Sequence, residues 1–149
     1  MTKNILLFLC LSAALFSVVG CTGRVKVSGN VKFSDGEALN FGEVCFTEGE
    51  KTFFGRIKED GYYSPGEFQD GDGIPPGTYQ VWLARTVLSE PIRNKNGEES
   101  DEVKQTDRVD KKYTAPETTE LTFEVKRGGS KKFDFIVERP SKMQVRLRR

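Results

Sequence analysis

The sequence predicts an all-β protein, a seven-stranded antiparallel β-sandwich, and three observations carry that prediction. Apolar residues beyond residue 20 alternate with period two, the mark of strands buried on one face. The alternating runs are short and are punctuated by Gly, Asp and Pro. No segment in this part of the chain sustains the 3.6-residue period of an amphipathic helix. Runs that each carry a single apolar face are satisfied when two sheets pack those faces together.

The strands follow in order. Val25, Val27, Val31 and Phe33 share one parity in the first run, and Gly29 in its middle predicts a bulge or bend. Ser34-Asp35-Gly36 turns the chain. Val44 and Phe46 define the second strand and Phe53, Phe54 and Ile57 the third, which Asp60-Gly61 is expected to close as a hairpin. Tyr62, Tyr63 and Phe68 make a weaker fourth strand, interrupted by Pro65-Gly66. Before the fifth strand, Pro75 and Pro76 impose extended geometry and Gly77 is expected to take a positive φ; Tyr79, Val81 and Leu83 then face inward. Leu121, Phe123 and Val125 form the sixth strand, Gly128-Gly129 reverses the chain, and Phe133, Phe135 and Val137 form the seventh.

Residues 86–120 do not share this economy. The stretch has few apolar residues and is far longer than the roughly 12–15 residues of an ordinary unstructured connection. Its charges run basic, acidic, basic, from Arg93 through Glu98-Glu99-Ser100-Asp101-Glu102 to Lys104 and Arg108, so it can close on itself, with Asn96-Gly97 at the tip of a small hairpin flap. The expectation is a solvated crossing between sheets, with a binding loop as the alternative. Residues 141–149 form a basic tail, expected to be solvated and frayed.

The N-terminus reads as an address. Lys3, the apolar run over residues 5–19 and Gly20 before Cys21 make the pattern of a bacterial lipoprotein signal. The run is shorter than the roughly 20 residues that cross a bilayer as a helix. Cleavage after residue 20 leaves Cys21 as the acylated first residue, with two or three acyl chains as the membrane anchor. Thr22, where Asp would favour inner-membrane retention, points to the outer membrane if the cell has two membranes. Residues 21–140 are then one domain. Loss of residues 1–20 removes one basic residue, Lys3, and leaves 22 Lys and Arg against 22 Asp and Glu, a balance that recruits no nucleic acid. Cys10 leaves with the signal and Cys21 is acylated, so Cys45 has no partner and no disulfide is expected.

Val27-Ser28-Gly29-Asn30-Val31-Lys32-Phe33, Asp60-Gly61-Tyr62-Tyr63 and Gly73-Ile74-Pro75-Pro76-Gly77-Thr78-Tyr79-Gln80-Val81 together resemble the carboxypeptidase regulatory-like group of transthyretin-like β-sandwiches. The resemblance covers nearly all of the mature domain and is strongest to short, single-domain, secreted or lipid-anchored members found in Planctomycetes and relatives. It implies a prealbumin-like Greek key and an extracytoplasmic binding or accessory module without catalysis.

The residue inventory points the same way. There is no His, which removes the commonest general base and zinc ligand. Cys45 lies between Val44 and Phe46 with no base or cation beside it in sequence, so it is read as a packed side chain rather than a nucleophile. Asp70 and Asp72, in Asp70-Gly71-Asp72-Gly73, are weak metal candidates, because the run lacks the further oxygen ligands of a calcium loop. No cofactor is expected. Trp82 is out of phase with Tyr79, Val81 and Leu83 and falls on the outer face, beside Cys45 or Phe54, where the long loop is expected to cover it. The functional expectation is a noncatalytic module of the cell envelope, held to the membrane through Cys21 and binding an envelope protein or glycan. The alternative is a carbohydrate-binding domain using Trp82 and the long loop, and a carboxylate-dependent enzyme is the third.

Overall fold

The computed structural model describes residues 23–129, 131–141 and 145–148. The expected signal segment and Cys21 lie outside the described residues. The fold is all-β, with ten strands and one 3-10 turn among the described residues: β1 (Gly29–Phe33), β2 (Glu43–Glu48), β3 (Lys51–Arg56), β4 (Tyr62–Tyr63), β5 (Gly77–Ala84), β6 (Val87–Arg93), β7 (Glu99–Asp107), the turn Lys111–Tyr113, β8 (Thr122–Val125), β9 (Phe135–Val137) and β10 (Val145–Arg148).

A four-stranded sheet in the order β3-β2-β5-β8 forms one side of the body, with every pairing antiparallel. Its alternation works as the sequence demands: Val44, Phe46, Tyr79, Val81 and Leu83 are wholly buried. A three-stranded sheet, β4-β1-β9, forms the other side. Val31, Phe33, Tyr63 and Val137 are its wholly or almost wholly buried members. The two inner faces meet through aromatic rings, Phe46 against Tyr63 with centroids 6.1 Å apart and Phe123 stacked on Phe133 at 4.6 Å. Val25, Val27, Leu39, Ile57, Ile74, Val109 and Tyr113 close the same core from connecting segments. Burial of this apolar surface, at about 25 cal/mol per Å², is the main favourable term holding the sheets together.

Several expectations are corrected. The strands number more than seven, and β1 pairs with β9 in parallel, Val31 opposite Phe135 and Phe33 opposite Val137. Asp60-Gly61 makes a tight turn, with Gly61 at φ 82° and the Tyr62 N–H donating to the Asp60 side chain, but it is a corner. It carries the chain from β3 in one sheet to β4 in the other, where Tyr63 pairs with Gly29. Gly128-Gly129, expected to reverse the chain, leads from β8 to β9 in the opposite sheet. Phe68 belongs to no strand and is 81% exposed. Gly29 makes no bulge: the parity of Val25, Val27, Val31 and Phe33 is unbroken and all four are buried. Gly29 is required because a Cβ there would lie 1.9 Å from the Phe133 carbonyl oxygen. Gly77 has no positive φ; its bare Cα leaves room for the Glu48 carboxylate, which accepts the Thr78 N–H at 3.2 Å.

Residues 86–120 hold more regular structure than a solvated crossing with a small flap at its tip. Most of the stretch folds as an antiparallel hairpin, β6 against β7, with Val87 opposite Asp107. Its tip lies where Asn96-Gly97 suggested: the Asn94 side chain accepts the N–H groups of Asn96 and Glu98, and Gly97 has φ 84°. Ion pairs Arg93–Glu99 at 3.6 Å and Lys104–Glu90 at 4.0 Å link its charges, each worth little alone. The described part of the tail is paired rather than frayed. Residues 145–148 form β10 and pair with β7, Val145 opposite Thr106 and Arg148 opposite Val103. The result is a third sheet, three-stranded and antiparallel in the order β10-β7-β6, that projects as an arm from the end of β5.

Candidate functional site

Trp82 stands on β5 with its neighbours Val81 and Leu83 turned into the core, so period two places it on the outer face. Its indole N–H donates to Thr47 Oγ1 at 2.9 Å, which fixes the ring. Cross-strand pairing sets Trp82 opposite Cys45 and Cys45 opposite Phe54, a row across three strands as parity anticipated. Phe54 is half exposed, whereas Cys45 is buried beneath its neighbours.

That burial decides the chemistry of the thiol. Removal from water, reinforced by the Glu43 carboxylate, pushes Cys45 up from its ordinary 9.0 to about 12. A thiol with so little thiolate near neutrality is no nucleophile. The folded pKa is the raised one, so the neutral thiol stabilises the fold fully below about pH 9, and this contribution is lost as the pH rises toward about 12. Cys45 in the folded protein is expected to resist a thiol reagent at about pH 8 and to react once denatured. The melting temperature should fall across that alkaline window less steeply in Cys45→Ala than in the parent, and equal slopes would show that another group governs it.

Beside Trp82 the body and the arm enclose a groove of about 410 Å³, to which Arg85, Thr86, Asp107, Lys111 and Arg146 also contribute. Arg85 is the only non-glycine among the described residues with positive φ, at 55°. This conformation costs about 1 kcal/mol and turns the chain out of β5 into the arm. Its guanidinium is largely exposed and reaches Glu43 Oε1 at 3.2 Å. Arg146 on β10 donates to both oxygens of Asp107, at 2.6 and 2.7 Å. Lys111 comes from the 3-10 turn, whose start is capped by the Asp110 side chain accepting the Lys112 N–H at 3.1 Å. The groove thus combines an indole, three cations and one carboxylate already engaged by a cation.

Sequence reasoning singled out Trp82 and the long loop, and the structure brings them together. It missed Arg85, Asp107, Lys111 and Arg146, which come from four separate segments. The basic stretches flanking the loop's acidic run were the only hint. Asp70 and Asp72 accept backbone N–H groups: Asp70 Oδ1 takes that of Arg56 at the end of β3, and Asp72 Oδ2 that of Gln69 within its own turn, each at 3.2 Å. Among the described residues, no three His, Cys, Asp or Glu side chains converge as metal ligands. No family model, curated protein or solved structure matches the chain.

Proposed function

We propose that this chain is a lipid-anchored, extracytoplasmic module of the bacterial cell envelope that binds its ligand without transforming it. At the level of fold, the two-sheet body is read as a β-sandwich of the carboxypeptidase regulatory-like, transthyretin-like kind, a reading supported by the segments around Gly29, Gly61 and Gly77. The address rests on the run over residues 5–19 and Gly20-Cys21. Expression of the full precursor with and without Cys21→Ala tests it. The expected outcome is a mature chain heavier by acyl chains and held in the membrane fraction, with both properties lost in the variant. A soluble, unmodified product cut elsewhere would overturn the address.

The observation that carries the binding reading is the convergence of Trp82 with Arg85, Lys111 and Arg146 in one groove. An indole offers a flat apolar surface to the C–H face of a sugar, and the guanidinium and ammonium groups complement carboxylate or sulfate substituents. This favours an acidic envelope glycan over a neutral one. Trp82→Ala is expected to weaken binding of an acidic oligosaccharide at least about tenfold. Because Trp82 also contacts Thr47, Lys111→Ala is the companion test at an exposed position, with an expected loss of about threefold to tenfold that shrinks in high salt. Unchanged affinity in both variants would remove the groove from consideration and leave an envelope protein as the partner to seek.

A further inference from the structure

The end of the body opposite the arm carries a different surface. Gly23, Arg24, Lys26, Arg127 and Lys131 line a shallow hollow there. The Arg127 guanidinium lies against Gly23, with Nη2 3.5 Å from where a Cβ on that glycine would be. Arg24 forms an ion pair with Glu67 and also lies over the ring of Phe68, 5.2 Å from its centroid. Phe68 is 81% exposed, the most exposed large apolar side chain of the described residues. The surface therefore gathers four cations and a protruding aromatic ring, with the Glu67 carboxylate engaging Arg24.

Its position gives the composition meaning. Gly23 is two residues beyond Cys21, so covalent geometry limits their separation to about 7 Å. The strands give this end a direction. β5 begins at Gly77, paired with Val125 just before Arg127, and ends at Ala84, where the arm departs. β1 and β9 run the same way, from the Ser28–Lys132 bridge to Phe33 and Val137. The eight residues of β5 span about 26 Å, so the basic end and the arm lie at opposite poles.

We infer that the basic end is a membrane-docking face that seats the domain on anionic phospholipid headgroups of the leaflet holding Cys21. This rests on the lipoprotein reading for its source of proximity and goes beyond it by naming the contact surface. A tether alone leaves a domain free to tumble. Arg24, Lys26, Arg127 and Lys131 are attracted to a negative surface, which an unpaired cation favours by about fivefold, and Phe68 offers an apolar ring to the headgroup and acyl boundary. Seated in this way, the body holds the Trp82 groove and the arm away from the bilayer.

A lysine footprint on the full chain tests the proposal. The protein is expressed as its precursor, purified and reconstituted into vesicles of phosphatidylcholine alone or mixed with phosphatidylglycerol, then acetylated with a water-soluble reagent. Lys26 and Lys131 are expected to react at least about fivefold more slowly on the anionic vesicles, with Lys95 at the arm tip unchanged and the difference erased by high salt. Equal reactivity on both vesicles, or protection of Lys95 to the same degree, overturns the docking face. So does the same protection produced by soluble polyphosphate without vesicles, which would assign the surface to a polymer. The intact mass of the same sample separates the two readings. An acylated Cys21 without protection sinks the docking face alone. An unmodified Cys21 sinks the anchor, and the same chain added to preformed anionic vesicles then decides the face, protection supporting it and none overturning it.

Discussion

Tyr63→Ala is expected to cost about 4 kcal/mol of unfolding free energy, and Tyr63→Phe about 1–2 kcal/mol. Tyr63 is wholly buried although β4 is only two residues long, so this side chain is the main attachment of β4 to the body. Its ring lies 6.1 Å from Phe46 in the facing sheet and 6.0 Å, edge to face, from Phe135 in its own. Truncation to Ala removes those contacts and leaves a cavity that flanking strands cannot fill without sliding. The hydroxyl donates to the Phe133 carbonyl at 2.7 Å, and Phe keeps the packing while leaving that oxygen without its partner. Burial also pushes the Tyr63 phenol well above its usual range, so this donor keeps its proton at any pH the fold tolerates. Against a total stability of about 5–15 kcal/mol for a domain of this size, the Ala variant should be marginal in urea while the Phe variant is not. Equal and small losses in both would show that Tyr63 does not bind the two sheets.

Gly29→Ala attacks the same junction from the other side, with an expected loss of about 3 kcal/mol or more. The new Cβ would meet the Phe133 carbonyl oxygen at 1.9 Å and Tyr63 Cε1 at 3.0 Å. A backbone oxygen cannot swing away as a side chain does, and here it is held by its neighbours. Ser28 donates to the Lys131 carbonyl at 2.8 Å and Phe133 donates back to Ser28 at 2.9 Å. Relief therefore requires β1 and β9 to part, which also breaks the Tyr63 hydroxyl bond. Gly36→Ala is the control, because Gly36 has φ 88° and a Cβ added there would meet nothing within 4 Å. It should cost only the left-handed penalty of about 1 kcal/mol. If the two alanines prove equally mild in chemical denaturation, close approach of the strands is not what selects glycine at residue 29.

These two residues show where reading the chain stops. Parity placed Val31 and Phe33 inside, and both are buried, because the two-residue repeat of a strand forces alternate side chains to opposite faces. Parity also put Trp82 on the outer face. It says nothing about which strand lies alongside. Gly29 has the sequence context of a local bend, and its role is visible only once β9 has come in parallel beside β1 and Tyr63 has come opposite it. The arm was hidden for a related reason. Its strands are solvated on much of both faces, so their side chains do not alternate, and the turn at Asn96-Gly97 was the only local sign of a hairpin. Residues 145–148 pair with β7 through backbone groups that every residue possesses, which leaves no mark in the composition of a basic tail.

The all-β class, the buried faces of the body strands, the turn residues and the outward placement of Trp82 were legible in the chain alone, because each follows from chemistry over a few residues. The parallel β1–β9 pairing, the arm, the groove around Trp82, and the gathering of Arg24, Lys26, Arg127 and Lys131 at one pole emerged only on folding. Those features join segments up to about a hundred residues apart, and such pairings are selected by the free energy of the whole core, which no local pattern encodes.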